Sequence, residues 1–148
     1  MEHHASIIWR RTSEAFTYDA YNRAHEWRFH GVIVAASAAP DFRGDAALVN
    51  PEEAFVASLS SCHMLTFLAM AAKKRFVMDS YSDDAVGYLE KNESGRLAMT
   101  RVVLRPRIEW AQGAIVSQTD LDMLHHQAHE GCFIANSVKT NVIVEPRP

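Results

Sequence analysis

Hydrophobic and polar positions alternate in three different ways along the chain, and each way predicts a different kind of element. Residues 5 to 36 hold two runs rich in β-branched and aromatic side chains, SIIWRRT and WRFHGVIVAA, joined by EAFTYDAYNRAHE, and these read as β segments. SAAPDFRGDAALV follows, with Pro40, Gly44 and small residues, and reads as a loop. Asn50, Pro51 and Glu53 then form a helix start: a capping amide, a proline suited to the first helical position, and a glutamate three residues after the cap. The helix runs to about Lys73 and is apolar nearly all round beyond Ser61, which predicts burial on every side.

After the basic run Lys73-Lys74-Arg75, the β-rich segments SDDAVGYLEK and RLAMTRVVLRPRIEW flank Asn92-Glu93-Ser94-Gly95, which predicts a hairpin. Pro106 argues for an edge or a bulge in the second of them. Ser117 or Thr119 caps a second helix, whose apolar stripe Leu121, Leu124, Ala128, Cys132 and Ala135 carries a cysteine inward. VKTNVIVEP reads as a final strand. The order ββ-α-ββ-α-β predicts one α+β domain over residues 1–148 with mainly antiparallel sheet. So apolar a first helix needs more cover than one small sheet provides; a homodimer burying two of them supplies it, and a monomer with a well-covered core is the alternative.

Composition narrows the function classes. The formal net charge of -3, with arginines scattered, offers no basic field for nucleic acid. No run reaches the roughly 18 consecutive apolar residues of a bilayer span, and the start Met1-Glu2-His3-His4 is unlike a secretory signal. The expectation is a cytoplasmic protein with no membrane partner. Two cysteines, Cys62 and Cys132, are too few for a secreted disulfide scaffold. In a reducing compartment a thiol pair points to redox or metal chemistry, against the plain reading of two inert core residues. A buried thiol has a raised pKa unless a cation or donor stands beside it, so an active cysteine here needs an arginine.

NPEEAFVASLSSCHM and AHEGCFIANS together resemble the OsmC/Ohr family, the osmotically inducible and organic hydroperoxide resistance proteins. The resemblance extends over the element order of essentially the whole chain. It implies an intertwined homodimeric α+β fold with two central helices bearing the cysteines, and thiol-dependent reduction of organic hydroperoxides or peroxide. By matching position, Cys62 is the peroxidatic thiol, Cys132 the resolving thiol, and Glu52 the family glutamate. Arg23 in YNRAHEW is the best match for the activating arginine, with Arg28 as rival. Glu52 lies ten residues before Cys62, or about 15 Å along a straight helix, so it acts through a bridging arginine or from another subunit.

The implied cycle passes through a Cys62 sulfenic acid and a Cys62–Cys132 disulfide that an external dithiol reduces, with no cofactor. An apolar substrate pocket is expected from Phe55, Leu59, Met64 and Phe133, with His63 and His129 near the cysteines. Two departures stand out: Phe133 follows the second cysteine where the family often has proline, and Asn22-Arg23-Ala24-His25 replaces a glycine-rich turn. His125, His129 and Cys132 fall on one side of a helix and His63 adjoins Cys62, so a zinc site can be drawn, but no CxxC knuckle supports it and the expectation is no metal. His125 and His126 read as partly exposed polar cover, and Asp83-Asp84 as a solvated turn or strand start. A rival from another class keeps the fold and makes the protein a non-catalytic carrier of an apolar ligand at a dimer interface.

Overall fold

The capping signals at Asn50 and Ser117 form as the sequence predicts, and they fix where the two helices begin. In the computed structural model, which describes residues Met1–Pro148, Asn50 Oδ1 accepts from the Glu53 backbone N–H at 2.9 Å while the Glu53 carboxylate accepts from Asn50 N–H at 3.1 Å. That reciprocal pair opens α1, Pro51–Lys73. The same device between Ser117 and Asp120 opens α2, Gln118–Glu130.

The chain divides into two compact units, Met1–Ala54 and Phe55–Pro148. The first holds a three-stranded antiparallel sheet of β1 (Ser6–Ile8), β2 (His25–Phe29) and β3 (Val32–Ala36), in that order. The run WRFHGVIVAA, expected as one segment, is therefore two strands. Gly31, at φ 76°, makes the reversal, and Phe29 pairs directly with Val32 across it. A backbone N–H from Ser37 to the Val49 carbonyl, 2.9 Å, brings the chain back toward the start of α1.

In the second unit β4 (Met78–Asp83) pairs antiparallel with β7 (Pro106–Trp110), and β5 (Val86–Lys91), β6 (Leu97–Leu104) and β8 (Asn141–Val144) form a separate sheet. The hairpin across Asn92–Gly95 is present: Asn92 Oδ1 accepts from the Ser94 and Arg96 N–H groups, and Gly95 takes φ 75°. β6 and β8 run parallel, alone among the paired strands. Each long β run of the sequence breaks in two, at Asp84-Ala85 and at Arg105, and Asp83 holds the break. Its carboxylate accepts from the Arg105 N–H at 2.6 Å and from the Ser60 hydroxyl at 2.5 Å. Asp83 is thus neither a solvated turn nor a strand start, the two expectations for it, but the bonded end of β4.

Leu59, His63, Phe67 and Ala71, spaced by four, are the buried line of α1. Leu59 packs with Val102 and Leu104 in one apolar cluster; Phe67 and Ala71 pack with Leu124 and Ala128 of α2 in another. Burial on every side of α1 is not what one chain provides. Ala57, Ser61, Leu65 and Ala69 form an exposed face, with Leu65 59% exposed. At 23 residues and a mean hydropathy of 1.6 over an 18-residue window, α1 also has the length and apolarity of a membrane span by composition, although no uninterrupted apolar run does.

Candidate functional site

Both cysteines are free thiols, Cys62 half-buried on α1 and Cys132 buried. Cys132 does not lie in α2 as its stripe suggested. The helix ends at Glu130, Gly131 follows, and Cys132 sits in the loop before a short 3-10 helix at Ala135–Ser137. The glycine after the basic residue His129 was the signal for that end. Folding nevertheless makes the two thiols neighbours, near enough for Cys62 to raise the Cys132 pKa. Cys132 Sγ also accepts from the Ala135 N–H at 3.4 Å. Burial first, and the neighbouring Cys62 thiol second, push the Cys132 pKa up to about 11.

Beside the thiols lies a histidine pair. His63 Nε2 and His125 Nδ1 are 3.1 Å apart, and the rings stack at 5.5 Å between centroids. His125 is 6% exposed and His63 1% exposed, so the expected surface role of His125 is corrected. Burial, the dominant cause for both, lowers each pKa to about 4. The charges of His125 and then His129 add to the lowering at His63, whereas Asp122 and Asp83 partly oppose it at His125. The pair is thus a neutral one, with one ring nitrogen donating to the other. His63 Nδ1, His125 Nε2 and His129 Nδ1 are buried without partners. His126 is exposed and lies 3.3 Å from Glu130. No group of three or more histidine, cysteine or acidic side chains is placed to hold a metal ion.

The expected pocket residues land in different places. Phe55 packs on the cluster that buries Leu59 and lines a cavity of about 910 Å³ beside the hairpin turn, with Lys91, Met99 and Lys139. His129 lines another, of about 310 Å³, with Asp122, His125, Val142 and Pro146. Met64 is half-buried on α1 and Phe133 is 80% exposed.

Arg23 and Glu52 belong to the first unit. The Arg23 guanidinium donates to the Tyr21 carbonyl at 2.7 Å and the Tyr18 carbonyl at 2.5 Å, and lies 3.8 Å from the Tyr21 ring centroid. Its Nε is buried without a partner, and so is Glu52 Oε2. Arg28, the rival, is engaged in an exposed ion pair with Glu26 at 2.8 Å. Of the two arginines only Arg23 has no carboxylate partner. Asn22 organises this loop: its side chain accepts from the Thr12 N–H at 2.9 Å and donates to the Arg10 carbonyl at 2.8 Å. The asparagine in YNRAHEW was a visible signal for a loop tied by side chain to backbone.

A family model described as OsmC-like protein matches residues 44–147. The chain belongs to the OsmC-like family. An OsmC-like protein of unknown function from Vibrio cholerae O1 biovar eltor shares 49% identity with it, each chain covered to 99%, at a TM-score of 0.95. An organic hydroperoxide resistance protein OsmC from Legionella pneumophila is 19% identical over 99% of this chain and 95% of its own, with a TM-score of 0.69. The organic hydroperoxide resistance protein OhrB of Bacillus subtilis is also 19% identical, over 97% and 98%, with a TM-score of 0.67. None of the curated proteins matches in sequence. The OsmC-like architecture, α+β with two helices and antiparallel-rich sheets, is therefore that of this chain.

Proposed function

We propose that this OsmC-like protein is a thiol-dependent peroxidase that reduces organic hydroperoxides. The observation that carries the reading is that Cys62 and Cys132 are neighbours in the fold, although 70 positions apart in a chain with no other cysteine. The names of the Legionella and Bacillus neighbours point the same way. In the proposed cycle the Cys62 thiolate attacks the peroxide, the O–O bond breaks, and the alkoxide takes a proton and leaves as alcohol. The Cys62 sulfenic acid then condenses with Cys132, releasing water and forming the disulfide. An external dithiol returns both thiols and is itself oxidised. No cofactor is called on.

Arg23 is assigned the stabilisation of the thiolate, on the family resemblance and on its lack of a carboxylate partner; Glu52 is assigned the orientation of that arginine. Cys62 would attack from α1 and Cys132 resolve from its loop. The protein acts as a homodimer in the cytosol, where reductants regenerate the thiols; the exposed apolar face of α1 supports the dimer.

Consumption of cumene hydroperoxide with a dithiol reductant tests this in the wild type, Cys62→Ser and Cys132→Ser. The wild type turns over, Cys62→Ser loses all activity, and Cys132→Ser forms the sulfenic acid but no intramolecular disulfide. Activity surviving Cys62→Ser would show that the nucleophile is wrong. The rival reading, a binding protein whose thiols never turn over, is favoured by one observation, the near-complete burial of Cys132. It is selected if the wild type leaves the hydroperoxide unconsumed.

A further inference from the structure

Gly131 closes α2 at φ -86° and ψ -2°, a right-handed backbone that other residues also adopt, so its own conformation does not call for glycine. Its surroundings do. A Cβ built on Gly131 meets Thr66 Cγ2 at 3.0 Å, tighter than side chains ordinarily pack, and Gln127 O at 3.2 Å. Gln127 belongs to the same helix end and moves with Gly131, whereas Thr66 belongs to α1. The contact with Thr66 is therefore where the end of α2 bears on α1.

That contact lies beside both thiols. Thr66 stands one turn beyond Cys62 on the same side of α1, and Gly131 immediately precedes Cys132. The Thr66 methyl is not free to swing aside: its Oγ1 donates to the Cys62 carbonyl at 2.9 Å, and turning the β-branched side chain gives up that bond. The Cys132 loop, for its part, is tied to the end of α2. The Gly131 N–H donates to the Gln127 carbonyl at 2.9 Å, the Asn136 side chain to the Glu130 carbonyl at 2.9 Å, and the Asn136 N–H to the Cys132 carbonyl at 3.0 Å. A side chain at position 131 thus pushes the Cys132 loop off α1 by a few tenths of an ångström.

We propose that Gly131 and the Thr66 methyl form a spacer that sets the approach of Cys132 to Cys62, which makes both of them positioning residues for the resolving step. Its catalytic use rests on the peroxidase reading above, although the disulfide itself can be formed without peroxide. In the resolving step the Cys132 thiol attacks the sulfur of the Cys62 sulfenic acid left by an organic hydroperoxide. The S–O bond breaks, the S–S bond forms, and the oxygen leaves as water with the thiol proton. A disulfide accepts only a narrow range of separations and dihedral angles, and a misplacement of about 1 Å costs reacting groups on the order of a hundredfold.

The deciding test needs no peroxide. Wild type, Gly131→Ala, Thr66→Ser and the double variant are equilibrated with mixtures of reduced and oxidised dithiothreitol, and the Cys62–Cys132 disulfide is quantified by mass spectrometry after thiol alkylation. Gly131→Ala lowers the equilibrium constant for the disulfide about tenfold or more, and the double variant recovers to within about threefold of Thr66→Ser alone. A glycine kept only for stability shifts the urea midpoint and leaves this equilibrium where it stands. With cumene hydroperoxide, dimedone traps more Cys62 sulfenic acid in Gly131→Ala than in the wild type. A wild type that consumes no hydroperoxide removes the peroxidase reading alone, and the dithiothreitol equilibrium still decides the spacer. No disulfide in the wild type, an unmoved equilibrium in Gly131→Ala, or a defect that Thr66→Ser leaves in place overturns the proposal. If Gly131→Ala does not fold, the double variant decides: folded and disulfide-forming, it upholds the spacer; unfolded, it overturns it.

Discussion

His63 Nε2 stands 3.1 Å from His125 Nδ1 where α1 meets α2, one residue along the chain from Cys62. Phe67 caps the pair, its ring centroid 4.6 Å from that of His125. The two imidazoles form a polar bond inside an apolar contact, and they fix the face that α1 turns to α2. Ala or Leu at either position alone strands the other ring nitrogen without a partner, at a cost of about 1–3 kcal/mol; replacing both with Leu is milder than the two single changes added together. Urea unfolding of the two single variants and the double variant measures this directly, and strict additivity would mean that the pair carries no coupling.

The same pair makes stability depend on pH. Both pKa values are lowered, from 6.5 to about 4, so the unfolded chain binds protons that the folded chain refuses. Stability is therefore full above pH 6.5, falls as pH drops from there to about 4, and levels off below for these groups. The loss is on the order of 3 kcal/mol per ring at most. The difference in unfolding free energy between wild type and the double Leu variant, followed from pH 7.5 to 4, isolates it from the carboxylates. A flat difference across that window would refute the neutral, buried assignment.

Cys132 should be the slow thiol. With a pKa of about 11 and 1% exposure, only about 0.1% is thiolate at pH 8, and the thiolate is the reactive form. Iodoacetamide labelling of the reduced protein, followed by mass spectrometry, should find Cys62 modified first and Cys132 modified at a rate that climbs about tenfold per pH unit up to pH 10. Equal labelling of both at pH 8 would contradict the geometry.

What the sequence disclosed, and what it hid, follows from the range of the interactions. Asn50 with Glu53 and Ser117 with Asp120 are separated by three residues, and the helix starts they set were readable from local chemistry. The hairpin at Asn92–Gly95 was readable for the same reason. The break of the long β runs depends on Asp83 reaching Ser60 and Arg105, 23 and 22 positions away. No local pattern announces that. The burial of His125 depends on His63, 62 positions away, so a helix wheel drawn for α2 alone places it as polar cover. The cysteine pairing lay beyond local pattern too, and it was the family resemblance that connected the two positions. The end of α2 is marked locally by Gly131, which interrupts the stripe although the apolar period continues past it to Cys132 and Ala135.

Asp83 offers a structural test that leaves the thiols untouched. Asp83→Ala frees the Arg105 N–H and the Ser60 hydroxyl together and should cost about 2–4 kcal/mol, two hydrogen bonds to a charged acceptor lost in a partly buried site. Asp83→Asn keeps an acceptor for the Arg105 N–H and should recover part of the loss. Thermal unfolding reads both; an unchanged midpoint in Asp83→Ala would mean that the strand break holds by packing alone.

The exposed face of α1 turns the proposed dimer into a measurable quantity. Leu65 is 59% exposed at the centre of a face otherwise made of alanines and serines, and small side chains let another helix approach closely. A charge introduced there meets only water in a monomer and costs little, whereas in a helix-to-helix interface it is buried unpaired. Leu65→Asp should therefore leave the circular dichroism of the chain intact and shift the molecular mass by light scattering from dimer to monomer at micromolar concentration. If the activity proposed above needs residues from two subunits, peroxide consumption falls in the same variant by the fraction dissociated. A fully active monomer would instead assign Arg23, Glu52 and Cys62 of a single chain to one site.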